Sequence, residues 1–410
     1  SMRQQSRPPG PRGDPVFGNS RQYARNPFEF LTACESAYGD VVAVELGPLE
    51  TYIATNPADI ERILVADHRK YRKPEFQDDA LGRLLGDGLL LSEGEQWREQ
   101  RTLANPAFDM SRIAGIADTM TRHATEAVAE WSAGEELDLE LEMARLTVKI
   151  IADAMMGVDL GEERVRTVQE NLEPLGARFE PNPIRFVTPD WLPTRENRDY
   201  EAAVRTLEDV VADVVAERRG TEGSADDTDP PMDLLSILLR AQNRGEQSDE
   251  QLRDEMVTML LAGHDTTALT LTYAFYLLSE HPETERRVHE ELDAALDGPP
   301  TFADTRDLEY LDRVLQETMR LYPPVYVMFR EPVVDVKLGG YRVPEGSAIM
   351  LPQWAVHRSP RWWEDPETFD PDRWTRERRA DRPRFAHFPF GGGPRHCIGK
   401  QFSLLEAKLI

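Results

Sequence analysis

Cysteine is almost absent from this 410-residue chain: Cys34 and Cys397 are the only two. That excludes a disulfide framework and fits a reducing cytosol. Lysine is nearly as scarce, with six against 42 arginines, while Asp and Glu total 74 and the net charge is −26. A phosphate backbone needs a basic face, so nucleic acid is excluded as a partner. An acidic surface this poor in lysine reads as tuned for high salt, where self-repulsion is screened. A halophilic origin is therefore expected, against the plainer reading of an ordinary acidic bacterial protein. No secretory leader opens the chain; Ser1-Met2 reads as a cloning remnant before an extended Pro/Gly-rich arm. Only Met256–Leu278 is apolar and long enough to raise the question of a membrane span. His264 and Asp265 near its centre make a span costly, and acidic residues precede it. A buried helix in a soluble, cytoplasmic protein without a membrane anchor is expected.

The length exceeds that of the usual single core, so one very large domain or two are expected. Val41–Leu46 and Thr51–Thr55 read as a hairpin around Gly47-Pro48. Much of Pro57–Arg320 has helical periodicity, broken by a polar loop at Gly220–Pro231. Strand signals return in "VVDVKLGGYRV" and "SAIMLP". The expected fold class is mainly α: a large helical body with a small β-rich region built from both ends of the chain.

The stretch "FGGGPRHCIGK", Phe390–Lys400, sets Cys397 among glycines and cations. A phosphate loop is excluded, because Gly399-Lys400 is followed by Gln401 and the required first glycine is Pro394. Zinc lacks paired ligands, since one Cys with His387 and His396 has the wrong spacing. Two readings stand. One is a single thiolate ligating haem iron, kept charged by backbone N–H groups and by the positive end of a following helix. The other is a glycine-rich turn around a small buried cysteine.

The segment matches Phe-x-x-Gly-x-Arg-x-Cys-x-Gly at Phe390, Gly393, Arg395, Cys397 and Gly399. Trp97-x-x-x-Arg101, "AGHDTT" at Ala262–Thr267, Glu317-x-x-Arg320 and "FDPDRW" at Phe369–Trp374 follow the same family pattern in order. From about Pro8 onward the chain resembles the cytochromes P450, and "GDGLLLS" and "LLAGHDTT" resemble bacterial fatty-acid hydroxylases among them. The resemblance implies a single cytochrome P450 domain over residues 1–410, with haem b buried between the long central helix and the cysteine loop. Cys397 is then the iron ligand. Ala262, Phe390, Gly393, Ile398 and Gly399 surround the haem, and Trp97, Arg101, Arg330 and Arg395 hold its propionates. Glu317, Arg320 and Arg373 form a structural network. Leu89, Leu90, Ala262, Val325 and Val327 line an apolar pocket. Chains of the family continue for some tens of residues past this point, so the rest of the last helix and a strand pair are expected beyond Ile410.

Within the long helix, Ala262 and Thr266 are four apart, on one face. A Thr hydroxyl bonding back to a carbonyl four residues earlier bends a helix, and Gly263 weakens the same turn. Thr266, backed by Asp265, is expected to manage the protons that dioxygen activation consumes. Residues 371–400 hold seven Arg and one Lys against three acids, a local charge of +5. This patch is expected to dock a ferredoxin-type or other separate acidic electron donor, with Arg378, Arg379 and Arg382 as its contacts. The expected activity is insertion of one atom of O₂ into a lipophilic substrate by a monomeric monooxygenase. A fatty acid is implied by resemblance, but the first hairpin offers no arginine to anchor a carboxylate, so an isoprenoid or carotenoid fits at least as well. Two rivals are a peroxide-driven haem enzyme or isomerase on the same fold, against which the Asp265–Thr266 pair speaks, and a non-catalytic haem sensor.

Overall fold

The computed structural model describes residues 7–47, 49–73, 110–177, 192–221, 235–236, 239, 244–245, 248–392 and 400–410. They fall in two compact units: Ser1–Gln77, Phe179–Pro193 and Gln316–Cys397 in one, Asp78–Arg178, Thr194–Leu315 and Ile398–Ile410 in the other.

The first unit is organised by a five-stranded sheet drawn from both ends of the chain. Its strands are β1 (Val41–Leu46), β2 (Leu49–Ala54), β3 (Tyr71–Arg72), β4 (Met328–Pro332) and, after the hairpin strands β5 (Val336–Leu338) and β6 (Tyr341–Val343), β7 (Ala348–Leu351). The order is β1-β2-β7-β4-β3. β1 and β2 pair antiparallel from Val41↔Ala54 to Leu46↔Leu49, whereas β2 and β7 run parallel with Thr51 opposite Ala348. Both faces of the sheet are covered. Side-chain alternation sends Val41, Ala43, Tyr52, Ala54, Ile349 and Leu351 into one apolar cluster. Val42, Val44, Ile53 and Met350 go into another, with Leu31 and Cys34 of the Pro27–Tyr38 helix. That helix starts where Asn26 accepts the Glu29 N–H, with Pro27 in its first turn. β5 and β6 turn through Gly339 and Gly340, both at positive φ, as a two-residue hairpin turn requires.

The second unit is helical. Its longer helices include Met110–Ala129, Leu139–Met156, Gly161–Ala177, Arg195–Thr221, Asp249–Glu280, Pro282–Ala295 and Lys400–Leu409. The longest, Asp249–Glu280, begins at a capping box in which Ser248 and Gln251 satisfy each other's backbone N–H. It packs along Leu139–Met156, and Val148, Ile151, Leu207, Val211, Leu271 and Phe402 are part of one shared core. This unit carries the apolar stretch that raised the membrane question. Among the described residues no helix is long and apolar enough to cross a membrane.

Candidate functional site

Glu317 is fully buried and gathers two guanidinium groups. Its Oε1 accepts from Arg320 Nε at 2.5 Å, and its Oε2 accepts from Arg373 Nε at 2.7 Å and from the Asp370 N–H at 2.7 Å. One carboxylate cannot neutralise two cations, and desolvation draws Arg320 below its ordinary pKa despite Glu317. Backbone carbonyls take the remaining donors. Arg320 reaches His357 O at 3.0 Å and Pro366 O at 2.7 Å, while Arg373 reaches Glu364 O at 2.7 Å and Asp365 O at 3.0 Å. Asp365 sits at φ 45°, the one described non-glycine residue in the left-handed region. A buried ion pair is tolerable only when its hydrogen bonds are made, and here they are. The expected association of Glu317, Arg320 and Arg373 is thus present.

The same assembly reaches the entrance of the cysteine loop. His357 Nδ1 bonds to Arg320 O at 3.2 Å, and His357 Nε2 accepts the Phe388 N–H at 3.0 Å. Those bonds fix the neutral tautomer, and burial lowers the pKa to about 3. Past Phe388 the chain turns through Gly391 at φ 75°, and a Cβ on Gly392 would lie 2.5 Å from the Phe385 ring. Here glycine is required by conformation at one position and by close approach at the next. Phe390 is half-buried. Gly393, Arg395, Cys397, Ile398 and Gly399 lie outside the described residues, as do Trp97, Arg101, Leu89 and Leu90, and the side chain of Ala262. Among the others, Arg330 on β4 is 5% exposed and donates to Phe329 O at 2.8 Å. Val327 packs in the cluster with Leu31 and Cys34, and Val325 is exposed.

Cys34 tests which thiol is available to a metal. It is buried among apolar neighbours, and burial alone pushes its pKa up to about 12. It is a protonated filler, not a ligand. The chemistry of the donor set therefore leaves Cys397 as the candidate thiolate, which fits one-sided ligation of a haem iron.

In the second unit the long helix runs without interruption from Asp249 to Glu280, carrying Asp265 exposed and Thr266 half-buried. The helix packed against this one carries a buried carboxyl that sequence reasoning missed. Glu406, in the Lys400–Leu409 helix, is fully buried with the Thr267 hydroxyl as its polar neighbour, too loosely placed to make a full hydrogen bond. The Thr270 hydroxyl, one turn on, is likewise buried without a partner. Burial pushes Glu406 well above the carboxylate range, opposed only by the weak interaction with Thr267. A glutamate within the apolar run "FSLLEAKLI" is the signal that was available.

The arginine-rich patch is only partly free. Arg378 donates to Asp370 Oδ2 at 2.7 Å. Arg382 lies over the Trp363 ring at 4.1 Å and donates to Arg373 O at 3.1 Å, and burial lowers its pKa to about 10. Arg376, Arg379 and Arg384 remain exposed.

Comparison with known proteins places this geometry. The sequence model for cytochrome P450 matches residues 8–410. Cyclooctat-9-en-7-ol 5-monooxygenase of Streptomyces melanosporofaciens is 36% identical over 97% of this chain and 85% of its own length. Pentalenene oxygenase of Streptomyces avermitilis is 33% identical over 96% and 87%. The chloroplastic protein LUTEIN DEFICIENT 5 of Arabidopsis thaliana is 31% identical over 96% and 69%. Among solved structures, the cytochrome P450DA haem domain superposes with a TM-score of 0.84 at 27% identity, covering 99% of this chain and 90% of that one.

Proposed function

The chain belongs to the cytochrome P450 family, and from that premise we propose a monooxygenase whose substrate is an uncharged terpenoid. Membership brings a thiolate-ligated haem, and when bound this group activates dioxygen so that one atom enters a lipophilic substrate and the other leaves as water. Electrons come from a separate redox partner.

The observation that carries the substrate reading is the first hairpin. β1 and β2, "VVAVEL" and "LETYIA", contain Glu45 and Glu50 but no Lys or Arg. The hairpin strands therefore supply no cation of their own to pair with a fatty-acid carboxylate, and Glu45 already engages Arg7. Two similar proteins are named for the oxygenation of an unsaturated alcohol and of pentalenene, neither an acid by name. Binding titrations with a cyclic terpene alcohol and with a long-chain fatty acid, read by the spin-state change of the haem, test the reading. A saturable shift with the alcohol supports it; a shift with the acid alone overturns it.

In this reading Cys397 supplies the thiolate, and Arg330, Arg395, Trp97 and Arg101 pair with the haem carboxylates. Ala262, Phe390, Gly393, Ile398 and Gly399 enclose the ring, and Leu89 and Leu90 keep water from the substrate; Val325 is exposed and Val327 is taken up by the sheet cluster, so neither is given that role. Thr266 orients a water through its hydroxyl, and the exposed Asp265 passes protons to it from solvent. Arg376, Arg379 and Arg384 offer the charge that an acidic donor such as a ferredoxin would meet. The buried free thiol of Cys34 fits a reducing, cytoplasmic setting. The lysine-poor acidic surface fits work at high salt; activity rising toward molar KCl would support that, and steady loss would contradict it.

A further inference from the structure

The unit that holds the sheet carries a basic cleft, although the chain as a whole is strongly acidic. Arg62, Lys70, Lys337 and Arg342 line a cavity of about 620 Å³ together with Asp67 and Asp335. Two of the six lysines of the chain stand here.

The two acids are already committed. Asp335 Oδ2 accepts from Arg342 Nη2 at 2.6 Å and from its Nε at 3.2 Å, while Oδ1 accepts the Glu345 N–H at 2.9 Å. The backbone bond from Glu345 and then Arg342 hold the Asp335 carboxyl below its ordinary range. Asp67 lies 3.8 Å from Lys70 Nζ. Pairing each acid with one cation leaves Arg62 and Lys337. Neither makes an ion pair within 4 Å among the described residues, so the lining keeps a residual charge of two positives.

Both free cations are placed by rigid elements. Lys337 stands between Val336 and Leu338, whose side chains are buried, so the pleat of β5 turns it outward. Arg62 precedes Ile63 and Leu64, which anchor the chain in the sheet's apolar cluster. Tyr71 of β3, largely buried in the sheet's apolar cluster, also borders the cavity. Burial pushes its pKa up to about 12, so its hydroxyl remains a donor at neutral pH.

Arg62 also feels the nearby Asp59, but both cations face one cleft, and a dianion entering it would be attracted to each. A phosphate monoester carries about −1.5 to −2 charges at neutral pH and three acceptor oxygens. The fork of Arg62 and the point charge of Lys337 suit those oxygens in kind. We propose that this cleft binds the phosphate of a phosphorylated small molecule or of a phospholipid headgroup, gripped by Arg62 and Lys337. This site is independent of the haem reading.

The test is calorimetric titration of the haem-loaded protein with glycerol 3-phosphate, alongside co-sedimentation with phosphatidylcholine vesicles containing phosphatidic acid. Saturable one-to-one binding of glycerol 3-phosphate, weakened at least about tenfold by the double substitution Arg62→Ser with Lys337→Ser, is expected. Both side chains are exposed, so the variant keeps the thermal midpoint of the parent. Vesicle binding that the double substitution abolishes assigns the phosphate to a lipid headgroup. Soluble binding without vesicle binding assigns it to a free metabolite. Absence of both, or binding that the double substitution leaves unchanged, overturns the proposal.

Discussion

His357 Nε2 accepts the backbone N–H of Phe388 at 3.0 Å, while its Nδ1 is bonded to the Arg320 carbonyl. One neutral imidazole therefore ties the Glu317 ion cluster to the segment that leads into the cysteine loop. Its position makes stability depend on pH. The folded-state pKa is about 3, against 6.5 when unfolded. The unfolded chain binds the extra proton as pH falls below 6.5, so stability is lost between there and about 3. From pH 7 to pH 5 the loss from this group is about 2 kcal/mol. Denaturant unfolding of the parent and of His357→Gln, which is uncharged, measures it. The variant is expected to lose less between those pH values; parallel curves would remove His357 from the account.

Glu317→Gln strips the countercharge from two buried guanidiniums. Breaking a buried pair in this way costs about 3–5 kcal/mol. The expected outcome is a protein that unfolds at much lower denaturant and retains little haem. The exposed pair Glu283–Arg286 serves as control. Glu283→Ala there changes stability by less than about 1 kcal/mol. Equal effects at the two sites would contradict the structural weight given to Glu317.

Much of this was legible in the sequence, and what was not has a physical reason. The hairpin of β1 and β2 and the strand signals of β5, β6 and β7 are local, and the elements follow them. The second hairpin strand begins at Leu49, two residues earlier than Thr51, because pairing continues to Leu46 opposite Leu49. β3 was not foreseen: Tyr71 and Arg72 pair with Pro332 and Glu331, roughly 260 residues away, and nothing local marks such a strand. His357 and Glu406 were also missed. Glu406 had a local signal in its apolar run, whereas nothing around His357 in the sequence marks it as buried. Glu317, Arg320 and Arg373 were found through family pattern, since their meeting spans 56 residues.

Glu406 gives a pH dependence of the opposite sign. Its folded-state pKa lies well above 4.5, so the unfolded chain releases this proton first as pH rises. The stability it supports is complete below about 4.5 and declines as pH climbs toward the folded-state value. Glu406→Gln keeps the shape without the ionisation. Relative to the parent, the variant is expected to gain stability as pH rises above about 4.5, measured by denaturant unfolding. A constant difference would mean that Glu406 is ionised in the folded protein.

Arg379 and Arg382 are three residues apart and differ in role. Arg379 is exposed, whereas Arg382 lies over Trp363 and bonds to Arg373 O. Arg379→Glu is expected to slow reduction by an acidic donor, more at low salt than at high salt, with little change in melting. Arg382→Glu is expected to lower the melting temperature, since it places a carboxylate against the tryptophan face. Stopped-flow reduction and thermal melts separate the two. The first expectation fails if Arg379→Glu leaves the reduction rate unchanged at every salt concentration.

The central claim is that Cys397 supplies the sulfur that ligates the haem iron, and the absorption spectrum of the reduced, carbon-monoxide-bound protein tests it most directly. The parent and Cys34→Ala are expected to show the red-shifted Soret band of thiolate ligation, and Cys397→Ala to lack it. Persistence of that band in Cys397→Ala, or its loss in Cys34→Ala with haem still bound, would contradict the account.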